Sequence, residues 1–165
     1  MDMYGRVAAK YKDYCKIVID ADDDILMEGL KGSPYLIKPN IHELENAIDR
    51  ELHSDQEVIE AAREIITTYG VVYVLVSMGK EGALLVTEDE AIRSEAIPAT
   101  IVSTVGAGDS MLAGFVYGLE EDMTLKDALA FGAECSTLTI TVEGYPRLVL
   151  QEAIEMTKKA VVYSL

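Results

Sequence analysis

Basic residues are scarce in this sequence. Only 14 Lys and Arg stand against 29 Asp and Glu, for a net charge of −15 over 165 residues. A nucleic-acid backbone needs a basic surface, so that class of partner is excluded. The same charge repels a phosphate ligand at long range. Any phosphate site must therefore act locally, through backbone N–H groups, a helix N-terminus, metal ions and a few placed cations. Cysteine is also sparse. Cys15 and Cys135 stand far apart, in neither a metal-ligand nor a C-x-x-C spacing, and are expected as reduced thiols. Long apolar runs are missing. The longest, Val71 to Val76, is strand-sized, whereas a bilayer-crossing helix needs roughly 20 residues. No membrane partner is expected. The opening Met-Asp-Met-Tyr lacks the basic-then-apolar order of a signal peptide, so the expected location is cytoplasmic.

The hydrophobic fraction of 50% supports a real core in one domain. Short β-branched runs alternate with helical patterns. Ile17 to Asp20, Tyr35 to Lys38 and Val71 to Ser77 read as strands. Ala83 to Thr87 and Ala91 to Ala96 read as a hairpin around Glu88-Asp89. Helices are predicted over about Asp22 to Gly29, Asn40 to Ile48 and Ser54 to Tyr69, and from near Asp109 past Leu119. Two more are predicted over Thr124 to Thr141 and about Arg147 to Val161. Ser54 with Glu57, and Thr124 with Asp127, have capping spacing. Alternating strands and helices predict an α/β fold: a mostly parallel sheet flanked by helices, with ligands at the carboxyl ends of the strands.

Three segments fall at such ends. In Gly106-Ala107-Gly108-Asp109-Ser110, two glycines let the backbone approach a phosphate, and the following helix aims free N–H groups at it. A carboxylate there repels phosphate, but it makes sense as the acceptor of a proton from an attacking hydroxyl. The plain alternative is a Gly-rich loop with Asp109 as an N-cap. No Lys-Ser/Thr follows the glycines, so this is no P-loop. Met111 stands where a dinucleotide fingerprint needs a third glycine. Asn40-Ile41-His42-Glu43 reads either as a capping box or as a pair organising hydrated Mg²⁺ and phosphate oxygens. Lys38 just upstream could reach a phosphate as a point charge. Ser77 and Gly79 follow an apolar strand and could meet a nucleotide, or form a tight turn with Gly82. His42 and His53 read as surface residues.

The ordered set Ile17-Val-Ile-Asp20, Lys38-Pro39-Asn40-x-x-Glu43-Leu44, Val76-Ser77-x-Gly79-x-x-Gly82-Ala83 and Ser103-Thr104-Val105-Gly106-Ala107-Gly108-Asp109-Ser110 resembles the ribokinase-like (PfkB) sugar kinases. The branch of 1-phosphofructokinase and tagatose-6-phosphate kinase is the most similar. The resemblance implies the C-terminal, nucleotide-binding half of a three-layer ribokinase-like fold. It implies ATP and Mg²⁺ as cofactors and a sugar phosphate of the fructose 1-phosphate or tagatose 6-phosphate type as substrate. Asp109 would be the general base, with Gly106, Ala107 and Gly108 as the anion hole. Asn40 and Glu43 would tune Mg²⁺, while Lys38, Asn40, Ser77 and Gly79 would contact the nucleotide. The adenine pocket would involve the loop near Gly79 and the helix around Ala133 to Thr137. Relatives that use a monovalent cation often carry an acid where this chain has Ser103. The family's N-terminal half normally supplies most sugar contacts. The chain is therefore expected to form a homo-oligomer or to associate with such a half. Two other readings stand beside a kinase: a non-catalytic or split-enzyme nucleotide-binding module, and a dinucleotide binder.

Overall fold

The computed structural model describes residues 3–143 and 160–165. The chain divides into two compact units, Met1–Met78 with Leu84–Ala91, and Gly79–Ala83 with Ile92–Leu165.

In the first unit, β1 (Val18–Ile19), β2 (Leu36–Ile37), β3 (Tyr73–Ser77) and β4 (Ala83–Val86) lie in the order β1-β2-β3-β4. β1 pairs with β2 and β2 with β3, both parallel, with Ile19 opposite Ile37 and Ile37 opposite Val74. Parallel neighbours need crossovers. Helix α2 (Asp23–Leu30) joins β1 to β2, and α3 (Ile41–Ile48) with α4 (Asp55–Tyr69) joins β2 to β3. Apolar spacing on α4 places Val58, Ala61, Ala62, Ile65 and Ile66 in one buried core with Leu26, Leu30, Leu44, Ile37, Val74 and Val76. Each fully buried aliphatic side chain of this kind stabilises the fold by about 1.5–3 kcal/mol. Gly70 closes α4 in the left-handed conformation, at φ 71°.

In the second unit, β5 (Ala91–Ser94) pairs antiparallel with β6 (Val162–Ser164). Helices α5 (Ala107–Glu120) and α6 (Leu125–Ile140) pack closely through glycine. A Cβ on Gly114 would stand 2.8 Å from Cys135 Sγ, and one on Gly132 would stand 2.7 Å from the Met111 carbonyl. Phe115 is fully buried, and Tyr117 packs on Phe131 at 5.4 Å between ring centroids. Burial pushes the Cys135 thiol up to about 11, as suits an unreactive core residue. No described helix is long and apolar enough to cross a membrane.

Several expectations are corrected. α1 (Met3–Tyr11) has no counterpart in the sequence reading. Tyr4, Val7, Ala8 and Tyr11 carry helical spacing that the sequence reading did not use, although the helix buries only Gly5 and Ala8. The first two strands are shorter than read, although ladder bonds reach past their ends, with the Tyr35 N–H donating to the Ile17 carbonyl at 2.8 Å and the Lys38 N–H to that of Ile19 at 3.1 Å. Ser54 caps α4 through the Glu57 N–H, but the Glu57 carboxylate accepts from His53 N–H instead of returning to Ser54, so the capping box is not closed. The helix predicted from near Asp109 begins at Ala107, with Gly106 at the N-cap. Asp109 is thus not the cap. The helix read over Arg147 to Val161 falls outside the described residues except at its end, where Ala160 and Val161 precede β6. The turn expected at Glu88-Asp89 forms, closed by the Thr87 N–H donating to the Glu90 carbonyl at 2.9 Å. Thr124 and Asp127 cap α6 as expected.

Candidate active site

In the first unit, the site residues gather at the carboxyl ends of β1, β2 and β3. Lys38 leaves β2 and is 6% exposed. Its N–H donates to the Ile19 carbonyl at 3.1 Å, and its Nζ lies 3.1 Å from Asp20 Oδ2. The lysine singled out as a phosphate contact is thus held by a carboxylate that sequence reasoning did not assign to it. The signal was there: parallel register carries Asp20 beside Lys38 once Ile19 faces Ile37.

Pro39 ends β2, and Asn40 forms a parallel bridge with Ser77, whose N–H donates to the Pro39 carbonyl at 3.0 Å. This bridge brings two of the nucleotide-contact candidates side by side. Asn40 also closes a complete capping box on α3. Its Oδ1 accepts from His42 N–H at 2.9 Å and from Glu43 N–H at 3.0 Å. Glu43 Oε2 accepts from Asn40 N–H at 2.8 Å, and Oε1 accepts from Asn40 Nδ2. The capping reading of this motif is therefore realised. It leaves the functional one open, because a carboxylate has about four lone-pair sites and only two are taken. Burial pushes the Glu43 carboxyl above its ordinary value, with Asp22 and Asp20 adding to the rise against the Asn40 N–H and Lys38. Among the described residues no group of three or more His, Cys, Asp or Glu could cage a metal. The donor set fits Mg²⁺ only as a hydrated ion, whose waters Glu43 could accept from. His42 and His53 are exposed, as read from the sequence.

In the second unit, Gly79 starts a short 3₁₀ turn over Gly79–Glu81, with φ 56°. The Gly82 N–H closes that turn on the Gly79 carbonyl at 3.1 Å. The Gly106 loop is built differently. Gly106 takes the left-handed conformation at φ 78°, which a side chain would resist. That kink turns the chain into α5 so that Ala107, Gly108 and Asp109 form its first turn. The Ala107 N–H donates to the Thr104 carbonyl at 3.3 Å, and the Ser110 N–H to the Gly106 carbonyl at 2.9 Å. Gly108 and Asp109 are the second and third helical residues, so their N–H groups have no acceptor within the helix. The exposed Asp109 carboxyl belongs to the same turn. Free amide donors, the positive end of a helix and a carboxylate thus share one turn. Sequence reasoning missed what braces it: the Ser110 hydroxyl lies 2.7 Å from that of Thr139, a residue 29 positions away on α6.

The family model for pfkB carbohydrate kinases matches residues 6–148. The chain belongs to this family. It is 36% identical over 139 residues to the 1-phosphofructokinase of Borreliella burgdorferi, an alignment covering 84% of this chain and 45% of the relative. The crystal structure of phosphofructokinase-2 from Escherichia coli in complex with potassium superposes with a TM-score of 0.85 at 27% identity, covering 94% of this chain and 51% of that one. The ribokinase of Arabidopsis thaliana complexed with ribose and ATP gives a TM-score of 0.82 at 26% identity, covering 94% and 52%. The fold is therefore ribokinase-like. The chain spans less than half the length of the 1-phosphofructokinase it matches.

Proposed function

We propose that this chain is the nucleotide-handling part of an ATP-dependent sugar-phosphate kinase, with Asp109 as the general base. The observation that carries this reading is the first turn of α5, where free N–H groups of Gly108 and Asp109 stand beside the Asp109 carboxyl behind the left-handed Gly106. Phosphoryl transfer needs little covalent help from protein. It needs positioning and fixed donors for charge on the moving group. In the proposed step, the substrate hydroxyl gives its proton to Asp109. Its oxygen bonds the γ-phosphorus while the bond from that phosphorus to the β–γ bridging oxygen breaks, releasing ADP. Gly106, Ala107 and Gly108 supply the anion hole. Lys38, Asn40, Ser77 and Gly79 contribute to nucleotide binding. Asn40 and Glu43 would hold a hydrated Mg²⁺, which would supply neutralisation of phosphate charge when bound. The name 1-phosphofructokinase carried by the relatives supports a sugar phosphate of the fructose 1-phosphate type as acceptor, and a tagatose 6-phosphate type is proposed beside it from the motif resemblance alone.

The test is Asp109→Asn in the protein that carries phosphotransfer activity, alone or joined by the rest of the fold. Turnover of ATP with fructose 1-phosphate should fall by about 10³-fold or more, while ATP affinity changes little. Retained turnover would remove Asp109 from the role. In the same assay, phosphate transfer to sugar by the 165-residue chain alone would rule out the non-catalytic module.

A further inference from the structure

We infer that Thr139 is a positioning residue for the phosphate site, acting through the C-terminal turn of α6 on the loop that leads into α5. The inference rests on reading the first turn of α5 as the site. Three contacts carry it. The Thr139 hydroxyl lies 2.7 Å from the Ser110 hydroxyl and 3.0 Å from the Cys135 carbonyl. The next carbonyl, that of Ile140, accepts from Val102 N–H at 2.7 Å and from Ser103 N–H at 3.3 Å. A Cβ on Gly106 would stand 3.8 Å from Thr139 Cγ2, so the methyl lies in contact range of the kink itself. Residues 139 and 140 therefore hold the loop at both ends, at Val102–Ser103 before the glycines and at Ser110 after them.

The chemistry of the hydroxyl fits this task. Thr139 is 3% exposed, and a buried hydroxyl left without a partner costs free energy. It has one proton and two lone pairs. The Cys135 carbonyl can only accept, so one proton goes there. The Ser110 hydroxyl then completes the chain toward Thr139. This arrangement satisfies two hydroxyls inside the α5–α6 contact and fixes the rotation of the turn that bears Gly108 and Asp109. The loop that it steadies has few other anchors of its own: Val105 is 81% exposed and Ile101 60%. Without the clamp, the amides would wander over a wider arc and lose their convergence.

The experiment compares wild type with Thr139→Val, Thr139→Ser and Ser110→Ala, by hydrogen–deuterium exchange without ligand and by affinity for a non-hydrolysable ATP analogue. Thr139→Val keeps the shape and removes the hydroxyl. Exchange over residues 101–112 should quicken by about five- to tenfold, and analogue affinity should weaken by a similar factor. Thr139→Ser should restore both. Ser110→Ala should reproduce the exchange effect, and the Thr139→Val, Ser110→Ala pair should add little more, because the same bond is already gone. If Thr139→Val fails to fold, Ser110→Ala carries the same readout from the α5 side. Unchanged exchange over 101–112 in Thr139→Val and Ser110→Ala overturns the clamp. Faster exchange without loss of affinity overturns its bearing on the site. Failure of wild type to bind the analogue sinks the kinase reading, and the positioning role with it, while the exchange data still decide whether Thr139 holds the loop.

Discussion

Lys38 and Asp20 form an ion pair of 3.1 Å at the carboxyl ends of β1 and β2, with the lysine side chain 7% exposed and the aspartate 28%. A pair this unequally buried behaves asymmetrically. Removing the acid strands a cation in a dry place, whereas removing both charges relieves it. Asp20→Asn should therefore lower stability by about 2 kcal/mol in urea denaturation. Combining it with Lys38→Met should recover most of that loss. A double variant as unstable as the single one would show that the pair is not what fixes Lys38.

Two acids on α3 respond to pH in opposite directions. Burial raises the Glu43 carboxyl above the ordinary 4.5. The Leu52 N–H, and then the His42 ring, lower that of Glu45. For Glu43, the native state holds its proton to higher pH than the unfolded chain. Its contribution to stability therefore falls as pH rises from about the unfolded value through the raised folded one. For Glu45, the contribution is present above the unfolded value and is lost as pH falls through the lowered folded one. Stability of wild type minus Glu43→Gln should thus become less favourable with rising pH, and wild type minus Glu45→Gln more favourable. An NMR titration of Glu43 with its midpoint below 4.5 would contradict the first half.

Gly82 and Gly79 both have positive φ, but for different consequences. At Gly82, φ is 90° and a Cβ would stand 2.1 Å from the Ser94 carbonyl oxygen. At Gly79, φ is 56° and nothing lies within 4 Å. Gly79→Ala should cost about 1 kcal/mol, the strain of the left-handed conformation alone. Gly82→Ala must also push backbone apart and should cost upward of about 3 kcal/mol. Thermal melts of the two variants give the comparison, and equal shifts would refute it.

β1 begins the strand order of its unit, with Val18 36% exposed, and α1 exposes Tyr4, Val7 and Tyr11 at 41%, 45% and 42%. An edge strand is a template for pairing, and exposed apolar side chains favour association. The 165-residue chain should self-associate in sedimentation experiments. Val7→Glu with Val18→Lys should shift it toward monomer. A wild-type chain that sediments as a monomer at every concentration tested would count against this surface.

Local chemistry was legible in the sequence, and distant pairing was not. Asn40 with Glu43, and Thr124 with Asp127, lie three residues apart, so spacing alone announced both caps. Ser54 with Glu57 has the same spacing, yet the Glu57 carboxylate turned to the His53 N–H, a choice among near-equal donors that no pattern encodes. The Gly-rich turn was found, but its start was misplaced. The left-handed Gly106 lets the helix begin before Asp109, whereas an aspartate is the commoner cap. α1 was legible in the spacing of Tyr4, Val7, Ala8 and Tyr11 but went unread, and its buried residues Gly5 and Ala8 add little to the pattern. Thr139 has no motif of its own, so its tertiary pair with Ser110 of the Gly-rich segment was not announced. Of the candidate site, the Gly-rich turn and the Asn40–Glu43 pair could be read in advance, while the residues bracing them could not.

The glycines at 114, 118 and 132 leave no slack between α5 and α6: added Cβ atoms there would meet neighbours at 2.8, 2.7 and 2.7 Å. Sliding one helix along the other would drive backbone into backbone. Movement of α5 must then carry α6 along, so Asp109, the proposed base, and Thr139 travel as a single lever rather than as separable parts.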